Sequence, residues 1–123
     1  MSLENIVIYA FLSLGMAFNT LGIIGLLRFP DVYTRLHATT KCTTLGSIFG
    51  CMAVILYGIL QHLAAESAME QSEYLTLWVH ALIALVCLLV TNPAGAHAIA
   101  RAAHRIGIKP WGAVVDKLAE EGR

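Results

Sequence analysis

Three long stretches of this 123-residue sequence lack charge altogether. No Asp, Glu, Lys or Arg occurs in residues 5–27, 42–65 or 74–100, and charged residues make up only 13% of the chain, about half of the ~25% typical of a soluble domain. An α-helix needs about 20 apolar residues to cross a hydrocarbon core of about 30 Å. The distribution therefore excludes an ordinary soluble domain and predicts an all-α membrane protein with three transmembrane helices.

The sequence also lacks the motifs of common enzymes and metal sites. Its three cysteines are odd in number and form no CxxC pair, which argues against a disulfide framework and against a zinc site of the usual spacing. No Walker loop, GxSxG elbow, HExxH pair or dinucleotide-binding glycine motif is present. We therefore expect no enzyme activity, no catalytic residues, no bound metal and no cofactor.

The charge-free stretches place the spans at about residues 5–27, 45–65 and 74–100. These spans make one membrane unit over residues 1–106, and a tail over residues 107–123 follows it. Short loops of charged and polar residues are expected to join the spans. The organisation predicted is thus a single domain without internal repeats.

Basic residues flank only one end of the predicted spans. Three of them lie in the first loop and the other five follow the third span, whereas the N-terminus and the second loop, expected over residues 66–73, carry glutamates alone. Lys and Arg are retained on the cytoplasmic side of a membrane. The sequence therefore predicts an N-terminus outside and a C-terminus in the cytoplasm.

The first loop is the most informative segment, because it concentrates charge without the composition of a flexible linker. Pro30 suits the first turn of a helix, where its missing N–H costs nothing, and Asp31 would then face the positive end of the helix dipole. Arg35 follows Asp31 by four residues, so an ion pair between them is expected. A short interfacial helix that docks to another protein is the preferred interpretation. Topology determinants that touch anionic lipid are the alternative.

Residues 25–46, which read GLLRFPDVYTRLHATTKCTTLG, extend this segment into the second span. The run resembles the signature of the G subunit of multisubunit monovalent cation/proton antiporters, called MnhG, MrpG or PhaG. The resemblance continues more weakly through Asn92, Pro93 and His97 to residues 101–103, and the three-span layout agrees with it.

The resemblance implies an accessory subunit of a complex in the bacterial inner membrane, where the protein would be multi-pass. That complex exchanges cytoplasmic Na⁺ for external H⁺, so both ions are handled by the assembly. The implied partners are the other antiporter subunits and the lipid bilayer, with no nucleic acid. The spans themselves contain no Asp, Glu or Lys, the residues that together with His build proton relays in membranes. This chain is therefore expected to support assembly and to shape the Na⁺ path rather than to couple protons.

The first group of candidate site residues is a docking or ion-entry cluster at the predicted cytoplasmic face. Its members are Arg28, Pro30, Asp31, Tyr33, Arg35, His37, Lys41 and Thr44.

The second group lies in the third span and comprises Asn92, Pro93 and His97. Pro93 removes the backbone bond to the Leu89 carbonyl and can kink the helix. A carbonyl freed in this way can bind an ion, and a simple bend is the alternative. His97 suits either an ion pathway or a hydrogen bond at an interface.

Small residues form a third group with a packing role. Gly46 and Gly50 make a GxxxG pattern, and Gly15 and Gly22 lie two turns apart on the first span. Such residues allow helices to approach closely, and their presence on several spans favours contact with other chains. Two other functions stay open from the sequence: a small homo-oligomeric pore resembling a holin, and a membrane scaffold that never meets the ion.

Overall fold

The structure is a computed structural model that describes residues 2–109. It contains three helices, α1 (Leu3–Arg28), α2 (Val32–Ala64) and α3 (Ala68–Arg105). Each is long and apolar enough to cross a membrane, which confirms the predicted all-α architecture with three membrane-spanning helices. The orientation of the termini stays a prediction. Most of the predicted tail, residues 110–123, lies outside the described residues.

The helices are longer than the predicted spans. α2 has 33 residues and α3 has 38, so at 1.5 Å per residue they reach about 50 and 57 Å, well beyond a hydrocarbon core of about 30 Å. The predicted loops shrink to residues 29–31 and 65–67. The prediction of a separate interfacial helix was wrong: no Gly or Pro interrupts residues 32–45, so nothing ends the helix before it enters the apolar segment.

Side-chain caps fix where α2 and α3 begin. The Asp31 carboxylate accepts a hydrogen bond from the Thr34 backbone N–H at 3.4 Å, and Ser67 Oγ accepts one from the Glu70 N–H at 3.2 Å. Both caps satisfy backbone donors that a helix leaves unpaired at its first turn. Pro30 therefore precedes the cap, and the expectation that it occupies the first helical turn was wrong.

The helices form a single layer with α2 in the middle. α2 packs against α1 on one side and against α3 on the other, and within residues 2–109 α1 and α3 do not contact each other. Only three apolar side chains of the described part are buried, Ile8, Ala53 and Ala103. In such a layer α1 and α3 cover two sides of α2. Its other two faces are open to lipid or to other chains.

Glycines bring α1 and α2 close together. A Cβ placed on Gly15 would lie 3.0 Å from the carbonyl oxygen of Gly46 and 3.2 Å from the backbone nitrogen of Gly50. Beside this contact the Phe18 and Phe49 rings stack with centroids 5.8 Å apart. The small size of Gly15 is thus used in a contact within the chain. That small residues also serve contacts with other chains stays a prediction.

The contact between α2 and α3 depends on a glycine that the sequence analysis did not single out. A Cβ on Gly58 would lie 2.8 Å from the Cβ of Trp78 and 3.3 Å from its backbone nitrogen. Tyr57, the residue before Gly58, meets Tyr74 edge-to-face with ring centroids 6.2 Å apart. Gly58 therefore sets how closely the two helices approach at this end.

The chain turns back after α3. Gly107 adopts a positive φ of 83°, which a residue without a Cβ does at low cost. Its N–H donates to the His104 carbonyl, and the Ile108 N–H donates to the Ala103 carbonyl. This pair of bonds is a Schellman motif, and it directs the chain toward the start of α2.

Candidate functional site

Three residues of the predicted docking cluster hold the fold together near the α1–α2 loop. The Tyr33 hydroxyl donates to the Ile108 carbonyl at 2.9 Å, which joins α2 to the segment after α3. Arg35 Nε donates to the Phe29 carbonyl at 2.6 Å and closes the loop. The expected ion pair between Arg35 and Asp31 is not formed, because the Asp31 carboxylate is engaged by Thr34.

The electrostatics of the cap follow from these contacts. The Thr34 side-chain hydroxyl donates to the Asp31 carboxylate, and the Thr34 backbone N–H adds a second bond. Hydrogen bonds to the charged form stabilise it, so they hold the pKa of Asp31 below its ordinary value of 3.8. Asp31 is therefore ionised at neutral pH and acts as a fixed anionic cap.

The remaining charged members of the cluster are exposed. His37 and Lys41 lie four residues apart on α2, so they share one face of the helix, and both are open to the surroundings. Arg28 and Pro30 are exposed near the turn between α1 and α2. The structure thus divides the predicted cluster into residues that stabilise the turn and residues that are available to a partner.

Two predicted site residues from different groups meet directly. Asn92 Nδ2 donates a hydrogen bond to Thr44 Oγ1 at 3.2 Å, and both side chains are partly buried between α2 and α3. The other residues of the second group do not share this contact. His97 follows Asn92 by five residues, which turns it to another side of α3, and both His97 and Pro93 are exposed.

The helix continues through Pro93. α3 runs unbroken from Ala68 to Arg105 with Pro93 inside it. A kink at this residue stays a prediction, as does an ion-binding role for the Leu89 carbonyl.

A mainly apolar groove that also carries several polar side chains lies along one open face of α2, in the half of the layer nearer the α1–α2 loop. It has a volume of about 440 Å³, and apolar side chains from all three helices complete its walls. Its polar lining consists of Arg35, Thr39, Thr40, Thr43, Thr91 and Asn92. We call this feature the threonine groove.

The hydroxyls of the threonine groove are oriented by their own helices. Thr43 donates to the Thr39 carbonyl at 2.7 Å, and Thr91 donates to the Cys87 carbonyl at 2.8 Å. A hydroxyl whose proton is used in this way keeps its oxygen lone pairs as acceptors. The groove therefore presents acceptor oxygens, and the buried Thr39 Oγ1 has no partner within the described residues.

Sequence reasoning missed part of this groove. Arg35 and Asn92 were singled out from the sequence, but Thr39, Thr40 and Thr91 gave no comparable signal. Thr39 and Thr40 precede Thr43 by four and three residues, and this spacing places all three on one side of a helix. That pattern becomes informative only once α2 is known to begin at Val32.

The described residues offer no cluster suited to a tightly bound metal. In residues 2–109 no group of three or more His, Cys, Asp or Glu side chains comes together. The oxygens of the threonine groove are neutral hydroxyl and amide groups. Neutral oxygens can replace water around a passing cation without trapping it by charge.

These features together define a class of protein. Three long apolar helices lie in one layer, both faces of the central helix are open, and a groove with several polar side chains follows one of them. This arrangement describes a small multi-pass membrane subunit that is completed by other chains. Comparison with known proteins gives the family. Residues 11–104 match the PhaG, MnhG and YufB family, described as a Na⁺/H⁺ antiporter subunit, and the chain belongs to it.

Two relatives illustrate the range of the family. UPF0091 protein PH1428 of Pyrococcus horikoshii is 52% identical over 112 residues, which cover 91% of this chain and 89% of that protein. The G subunit of the Na⁺/H⁺ antiporter of Alkalihalophilus pseudofirmus is 34% identical over 111 residues, covering 90% of this chain and 83% of that protein. The chain therefore matches relatives from both archaea and bacteria over nearly its whole length.

A solved structure is similar as well. The fold matches a chain in the membrane-bound sulfane sulfur reductase (MBS), an archaeal respiratory membrane complex, with a TM-score of 0.72 and 32% identity. The match covers 95% of this chain and 96% of that chain. The protein is thus a multi-pass subunit of a multisubunit membrane complex with hetero-oligomeric partners, in a family of transporters rather than enzymes. This favours the antiporter interpretation over a homo-oligomeric pore.

Proposed function

We propose that this chain is an accessory subunit of a Na⁺/H⁺ antiporter complex that supports assembly and lines the cytoplasmic half of the cation path. The observation that carries the proposal is the threonine groove. It places several acceptor oxygens together in a membrane-spanning layer whose exposed surface is largely apolar. Hydroxyl and amide oxygens are the ligand type that hard cations such as Na⁺ prefer.

The charge distribution assigns the chemistry within the complex. The apolar stretches of the three helices contain no Asp, Glu or Lys, so this subunit has few groups with which to relay protons. Its share is to solvate a cation in passage, while proton transfer falls to other subunits. Na⁺ and H⁺ are substrates of the assembly, and the proposal needs no resident cofactor.

The assembly role rests on the exposed part of the predicted cluster. His37 and Lys41 lie on the open face of α2 opposite to the threonine groove, as their helical spacing from Thr39 and Thr43 requires. Because their side chains are exposed and Asp31 and Tyr33 are occupied within the chain, docking to an acidic cytoplasmic surface is assigned to His37 and Lys41. Replacing both with Ala should reduce the amount of assembled complex.

The path-lining role is tested by removing hydroxyls without changing side-chain shape. Thr43→Val and Thr91→Val each delete one acceptor oxygen from the groove. In inverted membrane vesicles, we expect the Na⁺ concentration for half-maximal antiport to rise several-fold while the assembled complex persists. The matched control is Thr20→Val, because Thr20 makes the same type of bond, to the Met16 carbonyl at 2.8 Å, on an exposed side of α1.

The pure scaffold gives a different result in the same assay. If both groove variants keep the wild-type Na⁺ dependence at normal assembly, the chain contributes structure alone and the path-lining proposal is rejected. The proposal is also rejected if antiport activity falls only in proportion to the amount of assembled complex.

A second setting for the same role is a respiratory membrane complex. The specific observation is the similarity to a chain of the archaeal sulfane sulfur reductase, over 95% of this chain. In that case the ion-translocating module would be joined to redox subunits. Purification of the complex through a tag on this chain, followed by assay for sulfane sulfur reduction, distinguishes the two: activity indicates a respiratory complex, and antiport alone indicates a separate antiporter.

A further inference from the structure

The open face of α2 that contains the threonine groove extends beyond it. A second pocket of about 280 Å³ lies along α1 and α2 nearer the α2–α3 loop, and its lining includes Val54 and Tyr57. Leu36, Thr40 and Thr43 line the threonine groove. The same stripe of α2 continues from Thr43 through Ser47 and Gly50 to Val54 and Tyr57, in alternating steps of four and three residues. A seam with this spacing is the kind that another helix packs against.

Two glycines on this face have no explanation within the chain. Of the seven glycines in helices, five have atoms of a neighbouring residue close to the position of an added Cβ, whereas Gly50 and Gly95 have nothing within 4 Å. Gly95 lines the threonine groove on α3, and Gly50 lies seven residues after Thr43 on α2. Glycine inside a helix costs stability relative to alanine. Its presence at both positions is accounted for if a second backbone approaches closely there.

The polar atoms of the groove indicate what that backbone must bring. Thr39 Oγ1 is already covered by atoms of this chain, so a helix from outside does not reach it. Arg35 lies at the same end of the groove, and its only hydrogen bond in the described part is through Nε to the Phe29 carbonyl. The remaining guanidinium donors suit a carboxylate.

We propose that one transmembrane helix of a different subunit occupies this face of α2, with small residues against Gly50 and Gly95 and an acidic side chain against Arg35. The proposal rests on the chain's membership of a multisubunit complex and does not depend on whether a cation passes along the groove.

The charge pattern selects this occupant over a second copy of the chain. Near Arg35 the helix ends are basic, and within residues 2–109 the one acidic group there, Asp31, is used as the cap of α2. A parallel copy would bring like charges together, and an antiparallel copy would need the opposite orientation in the membrane, against the distribution of basic residues. A lipid acyl chain can fill the space but offers no hydrogen-bond acceptor to the Arg35 guanidinium.

The test fills the seam without disturbing the chain. Gly50→Leu and Gly95→Leu each add a Cβ that has nothing within 4 Å of it in the described residues, so we expect the subunit itself to reach the membrane in normal amounts, which is measured alongside. Overpacking an interface commonly costs enough to lower recovery of partner subunits with the tagged chain about tenfold. The matched control is Ala17→Leu, because Ala17 is exposed on α1 at the depth of Gly15 but on another side of the helix.

Photocrosslinking identifies the occupant directly. A photoreactive amino acid in place of Leu36, which lines the groove, should give a covalent product with one different membrane subunit in the native complex. A product with a second copy of this chain, or with lipid alone, would overturn the proposal. Normal recovery of partners with both glycine variants, or an equal loss with Ala17→Leu, would also overturn it.

Discussion

Asn92 of α3 donates a hydrogen bond to Thr44 of α2 across 3.2 Å, although the two residues are 48 positions apart in the chain. The bond joins the predicted cytoplasmic signature to the middle of the third helix. It also borders the threonine groove, because Asn92 lines it. Polar contacts of this kind fix the alignment of two helices in a setting where apolar surfaces alone give little preference.

The energy of this contact can be measured by a double-mutant cycle. Asn92→Ala and Thr44→Val each remove one partner, and in membrane proteins such hydrogen bonds contribute about 0.6 kcal/mol on average and up to ~1.7 kcal/mol. We expect a favourable coupling of this size in detergent unfolding of the purified subunit. The control cycle pairs Asn92→Ala with Thr20→Val on α1, which should show no coupling. Strict additivity in the first cycle would contradict the assigned contact.

Gly58 should tolerate alanine poorly. An added Cβ would lie 2.8 Å from Trp78 Cβ and 3.3 Å from its backbone nitrogen, and neither atom can move by a simple side-chain rotation. We expect Gly58→Ala to lower the free energy of unfolding by about 1–3 kcal/mol. Gly95→Ala is the control, since nothing lies within 4 Å of its added Cβ, and alanine there should leave the isolated subunit unchanged or more stable. Equal effects at the two sites would refute this packing.

The Tyr33 hydroxyl should hold the segment that follows α3. Tyr33→Phe deletes its bond to the Ile108 carbonyl, a contact of the kind that contributes about 0.5–1.5 kcal/mol. We expect faster amide hydrogen exchange and faster proteolysis near residues 106–109, with the spans unaffected. Tyr9→Phe, on an exposed part of α1, is the control. Unchanged exchange in Tyr33→Phe would show that the tether carries no stability.

Asp31 predicts a specific dependence of stability on pH. Its pKa is held below 3.8 by hydrogen bonds from Thr34, so the folded state binds its proton less readily than the unfolded state. The stabilisation is therefore fully present above pH 3.8 and is lost as the pH falls through the lower folded-state pKa. The stability difference between wild type and Asp31→Asn should stay constant from neutral pH to about pH 4 and change only in stronger acid. A change centred near pH 6 would assign the effect to another group.

The three-helix architecture could be predicted because a charge in hydrocarbon is costly wherever it lies in the chain. Residues 5–27, 42–65 and 74–100 therefore revealed the spans directly. Helix ends were harder to predict. Residues 32–44 are polar enough for a loop, yet they remain helical because Asp31 caps them and no Gly or Pro interrupts them.

The site could be predicted only in part for a related reason. The sequence singled out Asn92 and Thr44 separately, but their contact depends on how α3 is aligned against α2, which Gly58 and Trp78 help to set far away in the layer. It also grouped His97 with Asn92, and helical geometry turns the two apart. Which glycines face the chain itself and which face a partner depends on the same alignment.

Side-specific labelling of single cysteines tests the central claim, that the three helices cross the membrane with their basic ends in the cytoplasm. The native cysteines Cys42, Cys51 and Cys87 are first replaced by Ala. Lys41→Cys or Glu70→Cys is then added to this background, and each variant is labelled in intact cells. A membrane-impermeant maleimide added from outside should label the cysteine at position 70 and reach position 41 only after the membrane is opened. Labelling of both positions from the same side would contradict the account.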